Sequence, residues 1–123
     1  MTTQGSLSTH DVANRLTSLC RSGKVQEAGE ELYADNIVSV EPPQSAAPLT
    51  NGRKAVLEKG KQFAASIEEW HSGSFGDPIV VGNHFAMTMV LDATLKGLGR
   101  KTLEEICVYE VKDGKIVREQ FIY

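Results

Sequence analysis

The sequence predicts an α+β fold built as one domain. Apolar residues recur at helical spacing in the first half, and from Glu68 onward the period changes to that of strands separated by turn residues. The 123 residues are 24% charged and 41% hydrophobic, which fits a single core. We therefore expect one domain over residues 8–123, with Met1–Leu7 as a loose N-terminal segment.

Three helices are predicted in the first half of the chain. The first follows the capping sequence Ser8-Thr9-His10-Asp11 and ends before Gly23. The second covers residues 25–33, which places Tyr33 on it. After a loop at 44–52, helical spacing from Ala55 to Ile67 predicts the third, whose exact end the pattern leaves open. Two short helices thus precede the first strand.

The first strand ends at a carboxylate. Glu41 follows the extended run of residues 37–40 and is followed by Pro42 and Pro43. A residue before proline favours extended backbone, and proline donates no backbone hydrogen bond, so the strand must stop there. Glu41 is therefore expected at a strand end, where it either borders a pocket or faces water.

The second half predicts strands joined by short turns, of which the last is the clearest. Asp113-Gly114 supplies two positive-φ positions, so residues 103–111 should pair antiparallel with residues 116–123. The strands at residues 85–95 and 103–111 carry apolar residues on both faces. We expect the helices to cover one face and a second copy of the chain to cover the other, giving a homodimer.

The charge pattern argues against two classes of partner. A net charge of -3 with no dense basic cluster makes nucleic acid and anionic membranes poor partners. No apolar run is long enough to span a bilayer, and no secretory signal opens the chain. Cys20 and Cys107 lack metal-type spacing, so we expect reduced thiols in a cytoplasmic protein. Without metal-ligand spacing or a phosphate loop, we expect no metal and no cofactor.

Four motifs together resemble one known superfamily. They are Tyr33-Ala34-Asp35-Asn36, Glu41-Pro42, Gly52-Arg53-Lys54-Ala55-Val56 and the hairpin from Val111 to Glu119. Over roughly residues 8–123 the chain resembles the SnoaL-like branch of the nuclear-transport-factor-2-like superfamily, which also contains ketosteroid isomerase. The resemblance implies a cone-shaped, cystatin-like fold, in which a strongly curved antiparallel sheet carries the three helices on its concave face around a deep apolar pocket.

The resemblance also implies site residues. Members with isomerase activity use a carboxylate before a proline at the end of the first strand to move a proton next to a carbonyl, and Glu41 matches that position. Their second group is a protonated aspartate on the penultimate strand, and Cys107 stands there instead. A thiol is a poor hydrogen-bond donor, which argues against faithful ketosteroid chemistry.

Alternation along the strand supplies a second acid. If Cys107 points inward, Glu105, Tyr109 and Val111 do so as well, and Glu105 shares the cavity with Glu41. Two carboxylates in a desolvated site repel, so one should hold its proton and act as an acid while the other acts as a base. The alternative is a salt bridge from Glu105 to Arg100, Lys101 or a cross-strand lysine.

Five further residues are candidates. His71 and Asp92 could meet across adjacent strands as an oriented base, although a histidine at such a position is more often a half-buried strand residue than a catalyst. Trp70 and Tyr109 would wall a ligand if they face inward, and Tyr33 could lend its hydroxyl to the pocket. With Cys107, these three aromatic residues are the predicted ligand-binding set.

Two functions are consistent with these residues. The first is a cofactor-independent isomerase, cyclase or dehydratase that acts on a small hydrophobic carbonyl compound. Glu41 or the His71–Asp92 pair would then be the base, and Glu105 the acid. The second is a protein that binds a small hydrophobic molecule without catalysis. Both need an apolar cavity with a few polar groups, so the sequence leaves the choice open.

Overall fold

The computed structural model describes residues 7–123, within which it has three helices and seven strands. The α+β class is confirmed. In chain order the elements are α1 (Thr9–Arg21), α2 (Val25–Leu32), β1 (Tyr33–Val40), β2 (Leu49–Asn51), α3 (Arg53–Ala65), β3 (Ile67–Phe75), β4 (Ile79–Val81), β5 (His84–Leu95), β6 (Gly99–Lys112) and β7 (Lys115–Ile122). Of the predicted loose segment, only Leu7 lies within the described residues.

All seven strands belong to one open sheet. Their order is β2-β1-β7-β6-β5-β3, and β4 pairs with β5 beside this path. Every pairing is antiparallel except that of β1 with β7, which is parallel. The sheet, which was predicted to be antiparallel, is therefore mixed, because the chain crosses over between β1 and β7 instead of turning back directly.

The helices cover one face of the sheet, as predicted. Buried residues of all three helices form a single core with inward residues of the sheet, among them Ile37, Phe85, Cys107 and Ile116. On β6, Cys107, Tyr109 and Val111 are buried and Glu105 is half-buried, whereas Glu104 and Ile106 are exposed. This alternation confirms the predicted inward set. We call the other side of the sheet, to which Ile106 belongs, the open face.

Local signals explain two of the chain's boundaries. Ser8 and Asp11 form a reciprocal capping box at the start of α1, as the sequence predicted. Asp113 has φ 52° and Gly114 has φ 76°, so both positions of the β6–β7 turn use the left-handed region. The primed turn matches the twist of the two strands, which fixes their antiparallel register and confirms the predicted hairpin.

Several predicted boundaries were wrong. Tyr33 opens β1 instead of ending α2, and its extended backbone (φ −77°, ψ 134°) closes the helix. The predicted loop at 44–52 contains β2, which pairs with β1. The end of α3, which the sequence left open, is Ala65. Gly73 lies inside β3 and not in a turn. A glycine is found at this strand position because the Trp70 ring occupies the space that a side chain would need.

Candidate functional site

Three carboxylates and one ammonium come together at one end of the helix-covered face. Ser39 on β1 pairs with Glu119 on β7, Glu105 lies on β6, and Glu41 follows the last residue of β1. Lys59 reaches them from α3, one turn after Val56, whose side chain is buried in the core. We call Glu41, Glu105, Glu119 and Lys59 the carboxylate cluster.

Both oxygens of Glu41 already have a donor. The Lys59 ammonium lies 2.9 Å from Glu41 Oε2, and the Tyr123 hydroxyl donates to Oε1 at 2.7 Å. The backbone N–H of Glu41 donates to the carbonyl of Pro48 at 2.9 Å, which anchors the residue just beyond the strand. Glu41 is therefore held at the strand end, as predicted, by a cation and a hydroxyl.

Glu119 is a buried carboxylate with two hydroxyl donors. Its exposed fraction is 2%. Tyr33 donates to Oε1 at 2.6 Å and Ser39 donates to Oε2 at 2.7 Å. Burial raises the pKa of Glu119, and the two hydroxyl donors and the Lys59 charge oppose that rise. Lys59 also donates to Ser39 Oγ at 2.6 Å. Two hydrogen bonds and the Lys59–Glu41 ion pair therefore join Glu119 to Glu41.

Glu105 differs from both, because no residue among 7–123 forms a hydrogen bond or ion pair with its side chain. Its cross-strand partner is Met89, and Leu103 lies two residues away on the same face. Burial raises the pKa of Glu105 to about 7, with repulsion from Glu41 adding to the rise and the Lys59 charge opposing it. The salt bridge considered as the alternative is not formed within the described chain.

The His71–Asp92 pair is not formed, which corrects that prediction. Arg100 holds Asp92 instead, through two hydrogen bonds at 3.0 and 2.8 Å, and it lowers the pKa of Asp92. His71 Nε2 lies 2.8 Å from Thr94 Oγ1. The register of β3 shifts between Trp70 and Ser72, so His71 falls at an irregularity.

Asp92 also lies on the wrong side of the sheet for a site shared with Glu105. It pairs with Thr102, which is three residues from Glu105 on a strand without register shifts against β5. Residues an odd number apart on a strand point to opposite faces. Asp92 is therefore on the open face, separated by the sheet from the carboxylate cluster.

The four predicted ligand-binding residues fall into two groups. Cys107 and Tyr109 are buried in the core, where the Tyr109 ring stacks on Phe85 at a centroid distance of 4.8 Å. Tyr33 packs against that core and uses its hydroxyl on Glu119. Trp70 lies on the edge strand β3 with 52% of its surface exposed and its ring against Gly73. Tyr33 alone of the four contacts the carboxylate cluster through a hydrogen bond.

Lys59, Glu119 and Ser39 were missed from the sequence. A signal for Lys59 existed, because the spacing of α3 puts this lysine on the face that buries Val56. For Glu119, no such signal existed. Regular alternation from the buried Ile116 predicts that the Glu119 side chain points outward, away from the core. The register of β7 shifts between Ile116 and Arg118, and that irregularity turns Glu119 inward.

Two open grooves lie away from the carboxylate cluster. One of about 450 Å³ is lined by residues of α1 with Asp77 and Pro78. The other, of about 650 Å³, lies at the start of α3 beside Asp35. Neither groove is lined by a residue of the cluster, so the deep apolar pocket implied by the resemblance remains a prediction.

Residues 7–123 lack two further kinds of feature. No group of three or more histidine, cysteine, aspartate or glutamate side chains is arranged to hold a metal ion in this part of the chain. None of its helices is both long enough and apolar enough to cross a membrane.

The structure is similar to several solved structures. A SnoaL-like polyketide cyclase candidate from Mesorhizobium loti is 33% identical over 95% of this chain and all of the other, with a TM-score of 0.90. A ketosteroid-isomerase-like protein from Catenulispora acidiphila, in complex with trimethylamine, is 16% identical over 92% of this chain and 85% of the other, with a TM-score of 0.71.

A third structure, from Xanthomonas campestris, is described as having a cystatin-like fold. It is 16% identical over 94% of this chain and 90% of the other, with a TM-score of 0.70. No curated protein matches the chain significantly. The two likenesses at 16% identity show the fold alone.

The family model of the SnoaL-like domain matches residues 7–123, which is all of the chain that the structure describes. Together with the 33% identity to the Mesorhizobium loti protein, this match confirms the resemblance seen in the sequence. The chain belongs to the SnoaL-like domain family.

Proposed function

We propose that the protein is a cofactor-independent enzyme that moves a proton next to the carbonyl group of a small hydrophobic compound, with Glu105 as the proton-transfer group. The observation that carries the proposal is the isolation of Glu105. Its side chain is half-buried beside Met89, without an ion-pair or hydrogen-bond partner among residues 7–123, and its pKa is raised to about 7.

A carboxyl group with this pKa suits proton transfer in both directions. General acid–base catalysis is most efficient when the pKa of the catalytic group lies near the working pH, because the group is then present in both forms. Glu105 as carboxylate would take a proton from the carbon next to the carbonyl, and as carboxylic acid it would return the proton elsewhere. Glu41 contributes by repelling the charged form of Glu105.

This assignment changes the roles expected from the sequence. Glu41 was expected as the base and Glu105 as the acid, but Lys59 and Tyr123 already bind both Glu41 oxygens. Glu41 is thus already engaged by a cation and a hydroxyl. The carboxyl of Glu105 has no such partner among residues 7–123, so we assign both the acid and the base step to it.

The reaction class rests partly on similarity. The Mesorhizobium loti relative is described as a polyketide cyclase candidate. Ring closure by carbon–carbon bond formation beside a carbonyl likewise needs a base that removes a proton from that carbon. Apolar neighbours, Met89 and Leu103 on the same face and Phe121 near Lys59, favour a hydrophobic substrate.

The test is proton exchange in D₂O with a panel of hydrophobic enones, followed by proton NMR. We expect exchange next to the carbonyl, with a rate that rises with pH and levels off above about 7 as Glu105 becomes ionised. Glu105→Gln should lower the rate by roughly 10²–10⁴ fold. Glu104→Gln, on the open face of the same strand, is the matched control and should exchange at the wild-type rate.

Equal rates in the two variants would reject Glu105 as the proton-transfer group. Enones that bind without any catalysed exchange would reject the enzyme and favour a binding protein.

We further propose that a second copy of the chain covers the open face. Ile106 and Ile122 are cross-strand partners there, and each is 47% exposed. Adjacent exposed isoleucines favour an interface of low polarity. Sedimentation at micromolar concentration should give a dimer, and Ile106→Lys should shift it toward monomer. A monomeric wild type would reject the proposal.

We also propose a cytoplasmic, reducing setting. Cys20 and Cys107 are both buried and free, and burial raises the pKa of each thiol to about 12. Thiols of this kind are unreactive in the folded protein and need no oxidising compartment. Mass spectrometry under non-reducing conditions should give the mass of two free thiols, and a loss of two protons would contradict it.

A further inference from the structure

The Lys59 ammonium has an N–H group that makes no hydrogen bond within the described chain. A lysine ammonium carries three N–H groups. One donates to Ser39 Oγ at 2.6 Å, and the ammonium forms an ion pair with Glu41 Oε2 at 2.9 Å. The third N–H has no oxygen or nitrogen acceptor among residues 7–123.

The two used contacts fix where the ammonium sits. Ser39 is fully buried and in turn donates to Glu119, so its oxygen is a rigid support for Lys59. The side chains of Lys59 and Glu41 keep 21% and 19% of their surface exposed, so the pair lies at the edge of the core and within reach of a ligand. The ammonium also lies over the Phe121 ring, 5.6 Å from its centroid, and this cation–π contact is weaker than a hydrogen bond to an oxygen acceptor.

We propose that the third N–H of Lys59 binds the carbonyl oxygen of the substrate and stabilises the negative charge that develops on it when Glu105 removes a proton. This inference rests on the proposed function and adds to it the second group that enolisation needs. A preorganised donor aimed at a developing oxyanion in a partly desolvated site lowers the barrier, and a charged donor does so more strongly than a neutral one.

The step balances within the chain and the substrate. Glu105 carboxylate takes the proton from the carbon beside the carbonyl. The electron pair of the broken C–H bond forms a C=C bond, and the carbonyl π electrons move to oxygen, where the Lys59 N–H donates a hydrogen bond. The protonated Glu105 then returns the proton to a carbon of the enolate. Lys59 keeps its proton throughout, so no co-reactant is needed.

The other candidate donors at this end of the sheet are not free to stabilise the negative charge on the substrate oxygen. The sequence has Cys107 where an acid donor was expected from the family resemblance, and this thiol is buried in the core. Tyr33 donates its hydroxyl to Glu119 and Tyr123 donates to Glu41, so neither is free to donate to a substrate. The Lys59 ammonium is the donor in the carboxylate cluster that retains an unused N–H.

The test uses 4-nitrophenol, whose ionised form absorbs visible light and resembles an enolate in charge and shape. Binding is followed by absorbance at pH 6, where Glu105 holds its proton in most molecules. We expect the wild type to favour the ionised form. Lys59→Met should weaken binding of that form by at least about tenfold, the usual weight of one charged hydrogen bond. Lys61→Met, from the exposed side of α3, is the matched control and should bind as the wild type does.

A double variant separates direct donation from simple charge balance. Lys59→Met leaves the Glu41 charge without its cation, and that charge alone could repel the phenolate. If Lys59 only neutralises Glu41, the Glu41→Gln/Lys59→Met pair should restore binding. If Lys59 donates to the oxygen, the pair should recover only the part of the loss that the uncompensated Glu41 charge causes, and it should still bind at least about tenfold more weakly than the wild type. Glu41→Gln alone should bind more tightly than the wild type.

Lys59→Arg and the melting temperatures of all variants guard against a folding defect. Because arginine keeps a cationic donor at this position, Lys59→Arg should retain most of the binding. Wild-type binding by Lys59→Met, restored binding in the double variant, or a wild type that does not favour the phenolate would each overturn the inference. Enone exchange on the same variants tests the proposed function separately: unchanged exchange in Glu105→Gln rejects that function, whatever Lys59→Met does to phenolate binding.

Discussion

The two faces of β5 and β6 hold carboxylates in opposite electrostatic states. On the helix-covered face, burial and Glu41 raise the pKa of Glu105 to about 7. On the open face, the Arg100 guanidinium lowers the pKa of Asp92. The same type of group on the same pair of strands is therefore a proton-transfer candidate on one side and a surface ion pair on the other. Desolvation without a cationic partner makes this difference.

The largest expected effect concerns the buried end of the cluster. Glu119→Ala removes the acceptor of the buried Ser39 hydroxyl and of the partly buried Tyr33 hydroxyl. We expect a loss of about 2–4 kcal/mol in the free energy of unfolding, since each buried unpaired hydroxyl costs about 1–3 kcal/mol. Denaturant titration at neutral pH measures it.

The contrast with the open face supplies the control for that prediction. Asp92→Ala should change the same free energy far less, because Asp92 and Arg100 are solvated. Equal losses in the two variants would mean that the two faces do not differ as described.

The next effect is a gain in stability from Glu105→Gln. The folded pKa of Glu105 is raised to about 7, so its protonated form is favoured by folding, and the stability present at acidic pH is lost as pH rises through about 7. Gln cannot ionise and avoids this loss. We expect the variant to gain about 1–2 kcal/mol at pH 8, after discounting the shift for partial exposure, and almost nothing at pH 4.

Denaturant midpoints of the wild type and Glu105→Gln at both pH values measure this gain. Destabilisation by Glu105→Gln at pH 8 would indicate that the carboxylate has a cationic partner in solution, which would contradict the isolation of Glu105 in the structure.

The smallest effect is that of Asp92→Asn on the open face. The folded pKa of Asp92 is lowered, so its pairing with Arg100 contributes stability above the usual pKa of an aspartate, and this contribution disappears as pH falls through the lowered value. We expect a slight loss of stability at pH 7 that high salt abolishes. A loss that persists at high salt would contradict the description of a solvated pair.

The sequence predicted the fold more completely than the site. Helical spacing, the capping box at Ser8 and the Asp113-Gly114 turn are local signals, and each corresponds to an element of the structure. Tyr33 was misplaced because its extended backbone is set by the start of β1, which helical spacing alone does not reveal. The parallel pairing of β1 with β7 depends on residues far apart in the chain and has no local signal.

Within the site, the face on which a side chain lies could be predicted only where its strand is regular. Glu105 could be placed because β6 has no register shift against β5 along its length. Glu119 could not be placed, because the irregularity in β7 after Ile116 moves the Glu119 side chain to the face opposite the one that alternation predicts. The His71–Asp92 pair failed for a similar reason, with a register shift at His71 and an arginine that binds Asp92. Alternation is reliable only where the pairing is uninterrupted.

The most direct test of the difference between the two faces is the side-chain carboxyl NMR titration of Glu105 and Asp92 in one sample of the wild type. Spectra of Glu105→Gln and Asp92→Asn assign the two signals. We predict a midpoint near pH 7 for Glu105 and a midpoint below the ordinary aspartate value of 3.8 for Asp92. A Glu105 midpoint at or below the ordinary glutamate value of 4.5 would contradict the prediction, because the group would then lack the raised pKa on which the proposed proton transfer depends.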